Sequence, residues 1–296
     1  MSDLKEIKNR IGSTTSMCQV TRTMEMVATA KIRGAQNRIE RARPYMLLLA
    51  KILSSVTRGT KKGNCPLLAD REKKRVLILS IASDRGQAGA FNANIIHLTE
   101  KIMADCSEEG KAVELICLGR KTNAYFNSRG IKPAFSLEGS SGQPTREQAQ
   151  ELSNRIIEQY SAATIDEVIL IFNRFVNVAS QHTEAMTLLP ITAQGLGASA
   201  SDGEEVVEAE LDYLYEPSAE SVLNTLSRTY VEVLVYRALL ESAASEHGAR
   251  RTAMKSATDN AEAMIKILTR SYNRARQAAI TTEIAEIVGG AAALEG

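Results

Sequence analysis

The sequence predicts a mixed α/β fold in which two long terminal helices pair as an antiparallel coiled coil around an inserted α/β domain. Three patterns support this prediction: a sustained 3.5-residue apolar repeat at the start, alternating apolar runs and helical stretches in the middle, and a proline-free helical pattern from residue 218 to the end. One helix enters the inserted domain and the other leaves it. They can therefore pair side by side only in antiparallel orientation.

The first helix is predicted from apolar and small residues that recur at steps of three and four from Leu4 to Val56, with Ile7 and Ile11 in the seam. A sustained 3.5-residue period is typical of a left-handed coiled coil. Between residues 14 and 25 the seam becomes polar, and a second apolar line that includes Met24 lies one position away. We therefore expect this part to present apolar side chains to something besides its coil partner.

The middle of the chain predicts a doubly wound, Rossmann-like layer over residues 70–195. Short apolar runs at 75–83, 113–119 and 167–175 indicate buried strands, and helical patterns lie near 92–105, 120–129 and 145–161. An antiparallel pair formed by "VILIFNRFVN" and "ASQHTEAMTLLPI" is expected at the sheet edge. Residues 196–211 are Gly- and Ser-rich and then acidic, which predicts a flexible loop. The coiled coil is assigned to residues 1–60 and 212–296.

The last helix is expected to begin after Ser218, a plausible N-cap. Its seam residues include Ala261, Ile265, Leu268 and Tyr272. If residues 56 and 218 are level, residue 24 lies opposite about residue 250 and residue 1 opposite about residue 273. Everything beyond Tyr272 is then expected to project past its intrachain partner.

Composition excludes several classes of protein. The chain has 296 residues, a net charge of +1 and 44% hydrophobic content, which is enough for a sizeable core. No apolar run suits a membrane helix or a signal peptide, so we expect a soluble intracellular protein. The four cysteines are scattered singly, and we expect reduced thiols. His97, His182 and His247 lie far apart without ligand spacing, which argues against a metal centre or a histidine-based catalytic site.

Charge and loop patterns leave other functions open. Lys and Arg outnumber Asp and Glu in residues 1–62, whereas acids dominate residues 63–245. Such a basic arm suits nucleic acid, an anionic membrane surface or an acidic protein, or it is simply a solvated helix face. A basic coiled-coil nucleic-acid-binding protein is thus one alternative. A nucleotide-binding enzyme is another, although "SDRGQAGAFN" at 83–92 lacks both GxGxxG and GK[ST].

Several motifs resemble the gamma subunit of F-type ATP synthases. They are "IKNRI" and "TRTMEMVATAKIRGAQ" near the start, "SDRG" before the first helix of the α/β domain, "DYLYEP" before the last helix, and "MKSATDNA" with "YNRARQAAITTEIAEIVGGAAAL" at the end. The resemblance implies a central stalk of a rotary motor for ATP synthesis and hydrogen-ion transport, turned by a ring of c subunits. It implies a bacterial protein bound peripherally at the cytoplasmic face of the inner membrane. The expected partners are three alpha and three beta subunits, epsilon and the c-ring.

The same resemblance assigns roles to residues. Contacts with beta subunits are expected from Met24, Arg250, Arg276, Gln277 and Thr281, and more weakly from Glu283 and Glu286. Contacts of the α/β domain, which would form the foot of the stalk, are expected from Ser83, Asp84, Arg85 and Gly86. The resemblance implies no catalytic residue, cofactor, metal or direct nucleotide, so this chain is expected not to be an enzyme by itself.

Overall fold

The computed structural model describes residues 2–59, 65–139, 141–192, 215–216 and 218–295. Its five α-helices are α1 (Ser2–Gly59), α2 (Phe91–Glu108), α3 (Arg120–Ser128), α4 (Arg146–Ser161) and α5 (Ala219–Glu295). The predicted long terminal helices and all three helices between the strands are present. The predicted flexible loop at 196–211 lies outside the described residues. Pro44 lies inside α1 without ending the helix.

The sheet has five strands: β1 (Arg75–Ile81), β2 (Ala112–Leu118), β3 (Phe135–Leu137), β4 (Glu167–Phe175) and β5 (Gln181–Leu189). Their order is β3-β2-β1-β4-β5, and every pair is parallel except β4 with β5. The predicted doubly wound layer with an antiparallel edge pair is confirmed. β3 was not predicted, because three partly exposed residues do not form an apolar run.

Two apolar clusters cover the faces of the sheet. Residues of α2 and α3, including Ile95 and Phe126, pack on one face. The other face is covered by α4 and by the parts of α1 and α5 that include Leu53 and Tyr230. All of β1 after Arg75 is buried, as expected for a central parallel strand with helices on both sides.

The chain divides into two compact units, Thr29–Arg250 and Met1–Ala28 with Arg251–Gly296. The division falls within α1 and α5, whereas the predicted domain boundaries followed the ends of these helices. The second unit is a helix pair. Its seam includes the buried residues Cys18, Thr21, Met254, Thr258 and Ala261.

The register of this helix pair differs from the register obtained by counting residues along α1 and α5 from positions 56 and 218. Thr21 and Thr258 share a hydrogen bond of 2.8 Å, whereas the count placed residue 253 opposite Thr21. The difference is five residues, or about 7.5 Å along a helix, which lies within the one or two turns allowed to such a count. With the observed register, residue 2 lies opposite about residue 277. The part of α5 without an intrachain partner therefore begins a little beyond Tyr272.

The start of α5 agrees with its prediction. The Ser221 amide donates to Oγ of Ser218 over 3.2 Å, so Ser218 caps the helix.

Candidate functional site

The carboxyl ends of the parallel strands are the first place to examine for a ligand site. In doubly wound sheets, ligands bind where the strand order reverses, which here is between β1 and β4. That position is filled by α5. Oγ of Ser242 donates to the carbonyl of Ile81 over 3.4 Å, and Oγ of Ser245 donates to the carbonyl of Asn173 over 3.0 Å. Both serines are buried. A helix of the same chain thus occupies the crevice that a nucleotide would need.

The predicted foot contact loop, residues 83–86, starts directly after β1. Ser83 is fully buried, and its amide and hydroxyl both donate to Oδ1 of Asn92 on α2, over 3.0 and 2.9 Å. Its side chain is therefore internal. Arg85 is exposed and Gly86 is half-buried. Of the three side chains in this loop, that of Arg85 is the one that faces solvent.

Asp84 joins three loops at this edge of the sheet. Its Oδ1 accepts the backbone N–H groups of Arg120 and Gly139, over 3.1 and 2.9 Å, and its Oδ2 accepts the N–H of Ser141 over 3.0 Å. The Asp84 amide donates in turn to Oγ of Ser141 over 2.9 Å. Partial burial opposes ionisation, but the three backbone donors outweigh it and lower the pKa of Asp84. The carboxylate also caps the N-terminus of α3.

Gly119 allows this arrangement. Its φ is +94°, and a Cβ at this position would lie 2.4 Å from the carbonyl oxygen of Ala82. Its amide donates to the carbonyl of Leu137 over 2.9 Å. Only glycine fits between the ends of β1 and β3, and its turn aims the Arg120 amide at Asp84.

Arg250 lies near the loop at 83–86 rather than in solvent. Its side chain is 11% exposed, and Nη2 donates to Oε1 of Glu246 over 2.7 Å and to the carbonyl of Gly86 over 3.3 Å. Nη1 lies 3.4 Å from Nδ1 of His247, whose Nε2 lies 3.1 Å from the carbonyl of Gly142. The structure thus brings together Arg250, predicted as a contact with a beta subunit, and Gly86, predicted as a foot contact.

Two further predicted sets lie in the helix pair. Ile7, Ile11, Ile265, Leu268 and Tyr272 are half-buried, and Ala261 is buried, so every predicted seam residue is shielded. Met24 is half-buried and has exposed apolar neighbours on the same face, Met17, Val20 and Val27, each more than half exposed. The second apolar line predicted from the sequence therefore lies outside the seam.

The end of α5 carries the remaining predicted residues, which are all exposed: Arg276, Gln277, Thr281, Glu283 and Glu286. Every residue from 280 to 291 is exposed. Ile280, Ile284, Ile287 and Val288 are 46, 56, 71 and 62% exposed. Four large apolar side chains exposed within nine residues indicate a binding surface for another chain.

Sequence reasoning missed the polar residues that attach α5 to the sheet and its loops, Ser242, Ser245 and His247, and Glu246, which binds Arg250. Eight consecutive positions, 241–248, are buried. A signal existed, because "ESAASEHG" combines small and polar residues without a solvent face of long charged side chains. Such a stretch, inside a continuous helix, indicates close packing on every side. Which main-chain carbonyls receive its hydrogen bonds could not be read from the sequence.

Over the described ranges, no helix has both the length and the apolar character needed to cross a membrane. The same residues contain no group of three or more His, Cys, Asp or Glu side chains placed to bind a metal.

Comparison with known proteins identifies the family of this chain. A family model described as ATP synthase matches residues 3–294. The ATP synthase gamma chain of Heliobacterium modesticaldum is 44% identical over 294 residues, which are 99% of this chain and 100% of that protein. The gamma chain of Moorella thermoacetica is 43% identical over 295 residues, with full coverage of both chains. This chain belongs to the ATP synthase gamma chain family.

Solved structures agree with this membership. A chain from the central stalk and c-ring of the Tetrahymena thermophila mitochondrial ATP synthase has a TM-score of 0.59 at 25% identity, covering 80% of this chain and 99% of that one. A chain of the Euglena gracilis mitochondrial ATP synthase has a TM-score of 0.68 at 19% identity, covering 99% and 95%, and supports the fold. The two gamma chains match over 99% and 100% of this chain, which includes both the sheet edge and the exposed end of α5. Nothing in these comparisons supports the nucleic-acid-binding alternative.

Proposed function

We propose that this chain is the non-catalytic central rotor shaft of an F-type ATP synthase. It couples ion-driven rotation of a c-ring to sequential conformational change in three catalytic beta subunits. The observation that carries the proposal is the end of α5, where residues 280–291 are exposed although four of them are large and apolar. We expect a helix end of this kind to have neighbours from other chains. Membership of the gamma chain family supports this expectation, because a gamma chain is one subunit of a larger complex.

The proposed surroundings of this helix end are alpha and beta subunits, three of each. Ile280, Ile284 and Ile287 recur every three or four residues and form one apolar stripe along α5. An apolar stripe turns inside a ring of subunits without breaking specific bonds. Polar side chains beside it, those of Arg276, Gln277 and Thr281, supply bonds that depend on the angle of rotation.

Contacts with beta subunits are proposed for the residues that the resemblance identified: Met24, Arg250, Arg276, Gln277, Thr281, Glu283 and Glu286. Arg276 is exposed and carries five N–H donors in a fixed plane, which suits a carboxylate of a partner. Met24 and its exposed neighbours on α1 offer an apolar surface beside basic residues. Arg250 has a different character, since its guanidinium already has three partners within the chain.

The α/β domain is proposed as the foot that meets epsilon and the c-ring at the cytoplasmic face of a bacterial inner membrane. In the loop at 83–86, Ser83 and Asp84 hold the loop in shape, whereas the exposed Arg85 is available to a partner. The chain itself is expected to remain peripheral to the membrane. Fixed attachment of the foot to α5 matters for this function, because torque applied at the foot must reach the helix.

Charge reversal at Arg276 tests the proposal. In reconstituted complexes, Arg276→Glu is expected to reduce ATP-driven proton pumping at least about tenfold, because a loss of one charge-assisted contact corresponds to about 1.5–3 kcal/mol. The matched control is Arg274→Glu, which makes the same charge change at another exposed position of the same helix. Subunit stoichiometry is measured in parallel to separate assembly from coupling. Wild-type pumping by Arg276→Glu, or equal losses in both variants, would contradict the assignment.

A further inference from the structure

His247 is a buried histidine to which the proposed function assigns no role. It is 2% exposed, and its ring lies between a loop of the sheet and Arg250. Nε2 lies 3.1 Å from the carbonyl oxygen of Gly142, which can only accept, so Nε2 carries the proton and donates. Nδ1 is then an acceptor, and the Arg250 Nη1 group 3.4 Å away donates to it. The hydrogen bond from Nε2 to Gly142 therefore fixes the tautomer of His247 whose Nδ1 can accept a hydrogen bond from Arg250.

The Arg250 guanidinium is held from three sides. Glu246 lies one turn earlier on α5 and accepts over 2.7 Å, the Gly86 carbonyl accepts over 3.3 Å, and His247 is the third acceptor. Arginine side chains lose considerable rotamer freedom when they are immobilised. Here that entropy is lost on folding, before any partner binds. Preorganisation of this kind increases affinity by lowering the cost of association.

We propose that His247 is a positioning residue for Arg250 in binding a beta subunit. This inference rests on the proposed function, since Arg250 must contact that partner for its orientation to matter. The neutral imidazole directs the guanidinium plane through Nδ1, and the Gly142 bond holds the imidazole. Glu246 and the Gly86 carbonyl both accept from Nη2 of Arg250, whereas Nδ1 of His247 accepts from Nη1, so His247 holds the other end of the guanidinium plane.

The charges around His247 keep it in the required neutral form. Burial is the largest influence and lowers its pKa. Arg250 on the same helix and Lys31 from α1 also lower it, while Glu246 and the Gly142 carbonyl raise it. The balance leaves the pKa below that of a free histidine. At neutral pH the Nδ1 lone pair is therefore available to Arg250.

Two isosteric substitutions separate the two bonds of the imidazole. In His247→Asn, the amide oxygen takes the place of Nδ1 and accepts from Arg250, while the bond to Gly142 is lost. In His247→Gln, the amide nitrogen takes the place of Nε2 and donates to Gly142, while the acceptor for Arg250 is lost. His247→Ala removes both. Coupling is measured as protons pumped per ATP hydrolysed in reconstituted complexes, and stability as the urea midpoint of the full chain.

If His247 positions Arg250, coupling in His247→Asn is expected within about twofold of wild type, and His247→Gln and His247→Ala are expected to lose at least about threefold. Stability should follow a different order, with His247→Gln at least as stable as His247→Asn. A merely structural histidine predicts that coupling follows stability, and that result would overturn the inference.

Arg250→Ala separates this inference from the proposed function. If Arg250→Ala loses coupling and His247→Gln does not, the positioning role is refuted while the beta-subunit contact stands. If Arg250→Ala retains wild-type coupling, the proposed contact itself fails, and the positioning role fails with it.

Discussion

Replacement of Asp84 by Asn tests how the edge of the sheet is held. Oδ1 of Asp84 receives two backbone N–H groups, from Arg120 and Gly139, and Oδ2 receives the N–H of Ser141. Asparagine keeps one carbonyl oxygen, which can retain the first two bonds. Its NH₂ group then faces the Ser141 amide, donor against donor. The expected loss is one charge-assisted hydrogen bond at a half-buried site, about 1–2 kcal/mol of unfolding free energy.

The pH dependence of this loss has a definite direction. Because folding lowers the pKa of Asp84, its stabilising contribution is complete above the ordinary carboxyl pKa and disappears as the pH falls through the lowered folded value. The difference between wild type and Asp84→Asn should therefore be largest at neutral pH and shrink in acid.

Urea denaturation followed by circular dichroism gives the free-energy difference, and amide hydrogen exchange locates it. The Ser141 amide should exchange faster in the variant, while the Arg120 and Gly139 amides change little. Asp105→Asn, at an exposed position of α2, is the control for loss of one negative charge. Equal stabilities of Asp84→Asn and Asp105→Asn at pH 7, with Ser141 exchange unchanged, would refute the reasoning.

Two other substitutions test the close approach at the sheet edge and the seam of the helix pair. Gly119→Ala should destabilise the chain by about 3 kcal/mol or more, whereas Gly110→Ala, also at positive φ but with nothing within 4 Å of the added Cβ, should cost about 1 kcal/mol; equal urea midpoints would exclude the clash with Ala82. In a double-mutant cycle, Thr21→Val and Thr258→Val should show a coupling of about 0.5–1 kcal/mol, because each removes the same 2.8 Å bond; additive effects would mean that this bond contributes nothing.

The sequence predicted those parts of the fold that depend on periodic burial. β1 and β4 were recognised from their apolar runs. The seam residues of α1 and α5, such as Ile7 and Tyr272, are shielded because the heptad period keeps one face of each helix toward its partner. Counting residues along α1 and α5 gave the register of the helix pair to within about one and a half turns, since Thr21 lies opposite Thr258 and the count placed residue 253 there.

The candidate site was predictable in part for a related reason. The projection of the end of α5 was expected from counting along the two helices, and residues 280–291 are exposed. The contact roles of individual residues there came from the resemblance and stay predictions. The internal bonds of Arg250 were not found. One of them runs to the main-chain carbonyl of Gly86, and main-chain carbonyls look alike at every position of a sequence. The other two run to Glu246 and His247 on the same helix, and only the Glu246 bond has the i,i+4 spacing that a sequence can reveal. Asp84 was predicted as a contact residue, and the structure shows its carboxylate turned to backbone amides instead of solvent.

Four hydrogen bonds from α5 to the sheet and its loops end on main-chain oxygens, those of Ile81, Gly142, Asn173 and Gly86. A carbonyl oxygen is the same whichever side chain its residue carries. In the two loops that contain Gly86 and Gly142, mutations can therefore alter outward side chains without loosening the helix, provided that the backbone path is kept. Side chains on the surface of the α/β domain can thus change over evolutionary time while the hydrogen bonds that attach α5 to this domain are kept.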